Sequence, residues 1–318
     1  RRHGYMIGPD PASEIAATIG GVLANNASGM SCGVKHNTYH LLDSLTFLTA
    51  RGTLIDTAEE GADQRFASAE PELYAALEEA RDLVRANPDL VTELRRQFAM
   101  KNTMGYSLEA LLDFDKPVDI FAHLLVGSEG TLAFVSEIVL NNVEIKEHYA
   151  TALVVFPTLV DATVALPGII ATNPAAVELM DSRSLKVGQS FDDAPQAVTS
   201  LDVEDHAAFL LEYQATSEEG LVEQVSRGTQ ALAEMGVDAE FSSDPNVRAA
   251  LWSLRKGLYT SVAGARTPGA TALLEDVAVP PDHLAAMCLA LDDLFKKFGY
   301  DQAVIFGHAK DGNIHFMI

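Results

Sequence analysis

The sequence predicts an α+β fold in two domains. The chain has 318 residues, more than one hydrophobic core usually organises, and its 48% hydrophobic and 21% charged content is ordinary for a globular protein. In the second half, strand patterns alternate with amphipathic helical patterns, which predicts helices packed on one face of a sheet. The apolar pattern breaks at Lys146-Glu147-His148, so we place the domains at 1–147 and 148–318.

Hydrophobic periodicity, together with prolines and glycines at the ends of the periodic segments, predicts the elements in order. In the first domain they are a strand at 41–49, a turn at 51–53, a helix at 70–87 and a buried strand at 121–126. In the second domain they are strands at 151–156, 207–215, 271–279 and 303–306, and helices at 158–171, 217–235, 245–259 and 281–297. Thr158 is the expected N-cap of the first of these four helices, and Gly299 is expected to end the last.

Composition argues against several classes of partner and site. The formal net charge is −23, and a surface this acidic argues against binding a nucleic-acid backbone or an anionic membrane surface. The most apolar long window, 151–171, is interrupted by two prolines and an aspartate, so it predicts a strand and a helix and no transmembrane segment. Cys32 and Cys288 form no CxxC pattern, which fits a reducing compartment and excludes an iron–sulfur cluster held by this chain alone.

Two glycine-rich segments lie about a hundred residues apart. The first is Gly20-Gly21-Val22-Leu23-Ala24-Asn25-Asn26-Ala27-Ser28-Gly29, and the second is Gly127-Ser128-Glu129-Gly130-Thr131-Leu132. Glycines let a backbone approach a flat or anionic ligand closely, and serine and threonine add hydroxyl and backbone donors. Ordinary turn glycines are the alternative explanation of both segments.

The end of the chain carries two histidines around a turn signal. Asp311-Gly312 between apolar runs predicts a two-residue hairpin, in which His308 would face His315 directly. Directly opposed side chains have Cβ atoms about 5 Å apart, close enough for both imidazoles to bind one divalent ion. Two histidines are only a partial metal site, and hydrogen-bonded surface histidines are the alternative.

A helix predicted from Pro245 carries an arginine beside its apolar stripe. The stripe consists of Val247, Leu251, Leu254 and Leu258. The guanidinium of Arg255 can therefore reach a partly buried site, where its planar fork of donors would bind a carboxylate. A solvated or salt-bridged arginine is the alternative. Asp276, in a pair of acids at a strand edge, is a weaker candidate, because such acids are usually solvated.

These segments, in this order, resemble the FAD-linked 2-hydroxyacid dehydrogenases. The matching features are the two glycine segments, the Lys101-Asn102-Thr103-Met104-Gly105-Tyr106 element, the Trp252–Arg255 spacing and the Gly-His-x-x-x-Gly-Asn-x-His motif from Gly307 to His315. The family includes D-lactate and D-2-hydroxyglutarate dehydrogenases and the glycolate oxidase subunit, and the resemblance covers nearly the whole chain. It implies the C-terminal part of a vanillyl-alcohol oxidase-type FAD-binding domain, followed by an α+β, ferredoxin-like substrate-binding cap.

The resemblance also implies roles for named residues. FAD contacts are expected from Gly20, Gly21, Asn26, Ser28, Gly29, Gly127, Ser128, Glu129, Gly130, Thr131, Leu132 and Ile138. Lys101, Asn102 and Tyr106 would border the flavin or its substrate. Arg255 would hold the substrate carboxylate. His308 and His315 would bind a divalent ion, zinc being the expected one, that polarises a small D-2-hydroxy acid such as D-2-hydroxyglutarate or D-lactate.

In the resembled family, a glycine loop and strands precede the matched part, and a glutamate and an adjacent histidine follow it. We therefore expect a fragment of a large member with an iron–sulfur domain, and the fragment alone need not be active. The acceptor would be a quinone, an iron–sulfur domain or an electron-transfer protein. The location would be cytoplasmic or peripheral to the inner membrane. The alternative is a non-catalytic acidic binding module or an inactive remnant. A nicotinamide-binding Rossmann domain is disfavoured, because no GxGxxG follows a strand.

Overall fold

The computed structural model describes residues 3–11, 13–14, 16–191, 194–264, 266 and 269–318. The chain divides into two compact units, Arg1–Ile145 and Lys146–Ile318, and each has its own hydrophobic core. Among the helices within these described ranges, none is both long enough and apolar enough to cross a membrane.

The first unit contains a three-stranded antiparallel sheet, a separate two-stranded antiparallel pair and several helices. Its strands are β1 (Tyr5–Met6), β2 (Leu42–Thr49), β3 (Leu54–Asp56), β4 (Ala133–Leu140) and β5 (Val143–Glu144). Its helices are α1 (Ile19–Ala24), α2 (Thr38–Leu41), α3 (Ala62–Ala69), α4 (Pro71–Arg85), α5 (Pro88–Phe98), α6 (Ala110–Asp113) and α7 (Pro117–Leu125). Strand β2 lies between β3 and β4 and is antiparallel to both, while β1 pairs with β5.

Three phenylalanines form the centre of this unit's core. Phe47 of β2, Phe66 of α3 and Phe121 of α7 are buried, and their ring centroids lie 5.1–5.8 Å apart. Two of the three pairs are edge-to-face and the third is stacked, the geometries that aromatic rings prefer. The rings therefore join the sheet to two of the helices that cover it.

The buried strand predicted at 121–126 is wrong, because residues 121–125 belong to helix α7 and Val126 is the residue after its end. Pro117 occupies the first turn, where a missing N–H and a fixed φ favour helix formation. Every residue of α7 except Asp119 is buried, so the helix lacks the polar face that would have shown a helical period. A short, wholly apolar run does not distinguish a buried strand from a buried helix.

Glu109, the residue before α6, is a buried carboxyl whose ionisation opposes folding. Its pKa is raised from 4.5 to about 7, mainly by burial and also by the negative charge of Asp113, while the positive charge of Arg95 lowers it. Because the pKa is higher in the folded chain, protonated Glu109 stabilises the fold at acid pH. This stabilisation is complete below about pH 4.5 and is lost as the pH rises through about 7.

We expect Glu109→Gln to remove this part of the pH dependence of stability. Urea unfolding of the wild-type chain should give a lower free energy of unfolding at pH 8 than at pH 5.5, and the drop should be smaller in the variant. Asp89→Asn, at an exposed carboxyl in the first turn of α5, is the matched control and should leave the drop unchanged. If the free energy of unfolding falls equally between pH 5.5 and pH 8 in Glu109→Gln and in the wild-type chain, Glu109 is not the source of this pH dependence.

The second unit is one six-stranded sheet with helices. Its strands are β6 (His148–Phe156), β7 (Ala176–Met180), β8 (Ala207–Ala215), β9 (Leu274–Ala278), β10 (Val304–His308) and β11 (Asn313–Met317). Its helices are α8 (Leu159–Ile170), α9 (Ser182–Gln189), α10 (Gln196–Thr199), α11 (Glu218–Glu234), α12 (Pro245–Gly264) and α13 (Leu284–Phe298), with 3-10 turns at Pro281–His283 and Ala309–Asp311. The strand order is β6-β8-β7-β10-β11-β9, and all neighbours are antiparallel.

Helices cover both faces of this sheet, so the prediction of helices on one face is wrong. Helices α8, α11 and α13 pack on one face, while α9 and α12 pack on the other. Strands β7 and β8 are accordingly buried on both faces, with only Gln214 partly exposed among their residues. A strand buried on both faces has no polar alternation, so its sequence does not show that two layers of helices cover it.

Several predicted boundaries of the second unit are confirmed. Strand β8 has the predicted range, 207–215. The Thr158 hydroxyl caps α8 by accepting the Asp161 N–H at 3.1 Å, and Gly299 ends α13 in a left-handed conformation. Strand β7 and helix α9 were not predicted from the sequence. This omission matters, because β7 carries a buried glutamate of the candidate site.

Candidate active site

His308 and His315 lie together at one end of the β10–β11 pair, but in a different register from the predicted one. His308 pairs with Asn313, and His315 pairs with Phe306, so the two histidines are not directly opposed. The connection is a 3-10 turn followed by Gly312 at φ 64°, longer than the predicted two-residue turn. Because residues two positions apart share a sheet face, both imidazoles still point to one side, with their Nε2 atoms 3.3 Å apart.

Gly312 explains why this longer turn forms. Its left-handed backbone favours glycine, and a Cβ added there would collide with the carbonyl of Val279. The carbonyl oxygen of Gly312 in turn accepts the Val279 N–H at 2.9 Å. This contact joins the turn to the end of β9 and so sets where β11 begins.

Each histidine has a carboxylate at its Nδ1 atom. Glu178 Oε1 lies 2.8 Å from Nδ1 of His308, and Asp276 Oδ1 is in contact with Nδ1 of His315. A carboxylate can only accept, so the hydrogen bond from His308 to Glu178 places a proton on Nδ1 of His308 and leaves a lone pair on its Nε2. The Nδ1 atom of His315 is close to Asp276 but makes no hydrogen bond of good geometry among the described residues. At 3.3 Å, the Nε2 lone pair of His308 can accept a proton from Nε2 of His315, and a cation could replace that proton.

The carboxyl of Asp276 is electrostatically coupled to this pair. Desolvation alone would raise its pKa, but the hydrogen bonds and positive charge of its neighbours outweigh desolvation and hold the pKa below its usual range. These neighbours are His315, the amide of Asn313 and His308. Asp276 is thus a real partner of the site, although its side chain is 61% exposed.

Arg255 is buried and paired in this structure. Its Nη2 atom lies 2.7 Å from Glu178 Oε2, its side chain is 5% exposed, and its guanidinium carbon stands 5.1 Å from the ring centre of Phe306. Leu251, Leu254 and Leu258 form the buried stripe of α12 as predicted. Val247 does not belong to the stripe, because it lies near the start of the helix and is half exposed.

Glu178 is the residue of this site that the sequence analysis missed. It is fully buried on β7 and contacts both Arg255 and His308. The available signal was a single acid inside the apolar run Ala176–Met180, since a buried acid requires partners and often marks a site. Among the described residues, no group of three or more His, Cys, Asp or Glu side chains is placed to hold a metal ion.

The structure brings the two glycine segments of the first unit together. The N–H of Gly127 donates to the carbonyl of Leu23, and the N–H of Glu129 donates to that of Ala24, both at 2.9 Å. The side-chain amide of Asn25 also donates to Glu129 at 2.8 Å. Segments a hundred residues apart therefore form one surface.

The Lys101–Tyr106 element joins the same surface. The ammonium of Lys101 donates to the carbonyl of Gly29 at 2.6 Å, and the hydroxyls of Tyr106 and Thr131 are 3.0 Å apart. Space is open beside Gly20 and Gly130, since a Cβ there would meet no described atom within 4 Å. Three sequence segments thus meet around glycines with an open side.

The backbone donors of the second glycine segment are largely engaged within the protein. The N–H groups of Gly127, Ser128, Glu129 and Thr131 all donate to protein carbonyls. In the first segment, Gly21 N–H donates to the hydroxyl of Thr18, and the Ser28 carbonyl accepts from Asp10. A ligand would therefore meet open glycine faces and side chains more than free N–H groups.

Asn26, Leu132 and Ile138 are placed differently from the other predicted FAD contacts. Asn26 is buried, and its side-chain oxygen accepts the Tyr39 N–H at 3.0 Å. Leu132 and Ile138 pack against the core of the first unit, and Ile138 pairs with Leu45 inside the sheet. The structure thus does not bring Ile138 to the glycine surface.

Comparison with known proteins agrees with this geometry. A family model described as FAD linked oxidases, C-terminal domain, matches residues 145–318, and one described as FAD binding domain matches residues 1–58. The chain is 26% identical to glycolate oxidase subunit GlcD of Bacillus subtilis, covering 98% of this chain and 54% of that protein. It is 25% identical to D-lactate dehydrogenase of Archaeoglobus fulgidus, covering 99% and 56%.

A third relative is D-2-hydroxyglutarate dehydrogenase of Haemophilus influenzae, 23% identical, with 98% of this chain and 32% of that protein covered. Among solved structures, alkyldihydroxyacetonephosphate synthase has a TM-score of 0.66 at 13% identity, covering 99% of this chain and 53% of that chain, which shows a shared fold alone. The chain spans between about a third and just over half of these proteins. With more than half of its residues matched by the C-terminal domain model, the chain belongs to the FAD-linked oxidase family.

Proposed function

We propose that this chain is part of an FAD-dependent dehydrogenase that oxidises a small D-2-hydroxy acid, D-2-hydroxyglutarate or D-lactate, to the 2-oxo acid. The observation that carries the proposal is the histidine pair, whose Nε2 atoms lie 3.3 Å apart while a carboxylate lies beside each Nδ1. The names of the dehydrogenase relatives support this choice of substrate class.

The histidine pair fits a divalent ion. Two nitrogen ligands at about 2.0–2.1 Å from a tetrahedral zinc ion stand about 3.3 Å from each other, and the two Nε2 atoms have this separation. The carboxylates at Nδ1 are the outer partners that orient metal-binding histidines. A bound ion would polarise the hydroxyl of the substrate, and two imidazoles supply half of a four-coordinate site.

Arg255 would bind the carboxylate of the substrate. One of its donors is engaged by Glu178, but its Nε has no hydrogen-bond partner among the described residues. A guanidinium carries five N–H donors, so it can serve an internal carboxylate and a second one at the same time. A buried, already oriented guanidinium would also bind an anion without a large loss of side-chain entropy.

FAD would lie along the surface formed by the glycine segments. The proposed contacts on this surface are Gly20, Gly21, Asn26, Ser28, Gly29, Gly127, Ser128, Glu129, Gly130, Thr131 and Leu132, with Lys101, Asn102 and Tyr106 at its border. Ile138 stays a predicted FAD contact away from this surface. The open side of Gly20 and Gly130 supports the approach of a flat ligand. The flavin would accept the hydride, and a quinone, an iron–sulfur domain or an electron-transfer protein would take the electrons onward.

The visible spectrum of the intact protein tests the proposal. We expect flavin absorbance that bleaches on anaerobic addition of D-2-hydroxyglutarate or D-lactate. L-enantiomers of both acids are the controls and should leave the spectrum unchanged. Flavin that is bleached by neither D-acid would contradict the substrate class. A protein without flavin absorbance would contradict the dehydrogenase itself and favour a non-catalytic acidic module.

Gly127 offers a sharper test of the FAD surface. Its φ is 82°, and an added Cβ would stand 3.3 Å from Cβ of Asn26, so Gly127→Ala should shift the two glycine segments apart. We expect about tenfold weaker FAD binding, the equivalent of roughly 1.4 kcal/mol of strain. Fluorescence titration of the flavin-stripped protein measures this.

Gly236→Ala is the matched control for this substitution. Gly236 also has a positive φ, 75°, but lies after α11 in the second unit, where an added Cβ would meet no described atom within 4 Å. The Gly236→Ala substitution should strain the backbone about as much as Gly127→Ala does, while the affinity for FAD stays unchanged. Equal FAD affinity in Gly127→Ala and the wild-type protein would remove this surface from the proposal.

A further inference from the structure

We propose that Glu178 is a positioning residue that joins Arg255 and His308 into one unit and sets the imidazole tautomer that presents Nε2 of His308 to the divalent ion. This inference rests on the proposed function. It adds a residue outside the predicted set, on a strand that the sequence analysis did not identify.

Among the described residues, Glu178 contacts an imidazole with one carboxylate oxygen and a guanidinium with the other. Its Oε1 lies 2.8 Å from Nδ1 of His308, which is the directly opposed residue in the β7–β10 pair. Its Oε2 lies 2.7 Å from Nη2 of Arg255, a residue of α12. A single fully buried side chain therefore connects three elements of the second unit at the point where the substrate and the ion would meet.

Only a carboxylate can satisfy both partners. His308 Nδ1 donates a hydrogen bond to one oxygen, and the other oxygen forms an ion pair with the cationic guanidinium of Arg255, so the side chain must accept at one end and carry negative charge at the other. A glutamine has the same shape but one acceptor and one donor. With its NH2 toward Arg255, two donors face each other. With its NH2 toward His308, Nδ1 must become the acceptor, so the proton moves to Nε2 and the lone pair that would bind the ion is lost. Burial excludes water from relieving either mismatch.

Glu212 provides a matched comparison on the same sheet face. It is equally buried, lies on the adjacent strand β8, and likewise pairs with an arginine of α12, Arg248, at 3.1 Å. Its other hydrogen-bond partners among the described residues are the indole N–H of Trp252, the hydroxyl of Thr151 and the side-chain amide of Gln214, and none of them is an imidazole. Glu212→Gln therefore removes a buried charge of the same kind without touching the histidine pair.

The decisive experiment compares the two glutamine variants by Zn²⁺ affinity and by the tautomer of His308. Chelator-competition titrations of the purified protein should show Zn²⁺ binding weakened about 10–100-fold in Glu178→Gln and changed less than about threefold in Glu212→Gln. Long-range proton–nitrogen correlation spectra of the metal-free, histidine-labelled protein should show His308 protonated at Nδ1 in the wild-type protein and in Glu212→Gln. In Glu178→Gln the proton should move to Nε2 or populate both positions.

The outcomes separate this inference from the function on which it rests. Zn²⁺ affinity and His308 tautomer both unchanged in Glu178→Gln would overturn the positioning role. A wild-type protein that binds no Zn²⁺ would remove the metal from the proposed function, while the spectra would still decide the tautomer. If Glu178→Gln does not fold, the wild-type spectrum alone decides, because a His308 protonated at Nε2 and bare at Nδ1 overturns the inference.

Discussion

Replacement of His315 by alanine is expected to lower kcat/KM for the D-2-hydroxy acid by on the order of 10²–10³-fold, because one of the two nitrogens that would hold the ion is lost. The remaining imidazole, His308, would keep its carboxylate partner Glu178 but could no longer share a cation. Steady-state kinetics of the intact protein and its zinc content after dialysis measure the effect. We expect kcat/KM and the zinc content to fall together.

His283→Ala is the control for this prediction. His283 is an exposed imidazole in the same unit, in the 3-10 turn before α13, and its side chain caps no helix. Its loss should change kcat/KM by less than about twofold, as expected for a surface substitution. A His315→Ala protein with the kinetics of His283→Ala would exclude His315 from the reaction.

Replacement of Phe66 by alanine is expected to destabilise the first unit by about 3–5 kcal/mol, because a fully buried aromatic ring would leave a cavity. Phe66 contacts Phe47, Tyr74 and Phe121, with ring centroids 5.5–6.1 Å apart, so three packed neighbours would lose a partner. Urea unfolding followed by far-UV circular dichroism measures the loss.

Leu83→Ala, on α4 of the same unit, is the matched control. Its side chain is 66% exposed, so its truncation should change the free energy of unfolding by less than about 0.5 kcal/mol. An unfolding transition that is the same in Phe66→Ala and Leu83→Ala would show that the aromatic cluster does not limit the stability of the unit.

The charge of the candidate site differs from the charge of the whole chain. The chain carries a formal charge of −23, yet Arg255 and the two histidines lie at one place on the sheet. Glu178 offsets the charge of Arg255 within the buried layer, which lowers the cost of burying a guanidinium there. The outer charge of the protein and the charge at the site are therefore separate properties.

Local signals predicted much of the second unit. Strand β8, the capping of α8 by Thr158 and the end of α13 at Gly299 were predicted from residues close to one another in the chain, and the structure confirms them. The nearness of His308 and His315 was also predicted, because a turn between them brings the ends of two short strands together. Their predicted register was wrong by two residues. The longer turn depends on Gly312, where a side chain would clash with the carbonyl of Val279, and Val279 is distant in the sequence.

The sequence by itself determined the alternation of strands and helices, the helix ends, the pairing of two imidazoles and the resemblance to the family. Each of these depends on neighbours in the chain or on an ordered motif. Only the tertiary structure decided that 121–125 is helical, that helices cover both faces of the second sheet, and that Glu178 connects Arg255 with His308. The physical reason is that these features arise from burial and from contacts between side chains far apart in the chain, and a buried apolar run looks the same whichever element it forms.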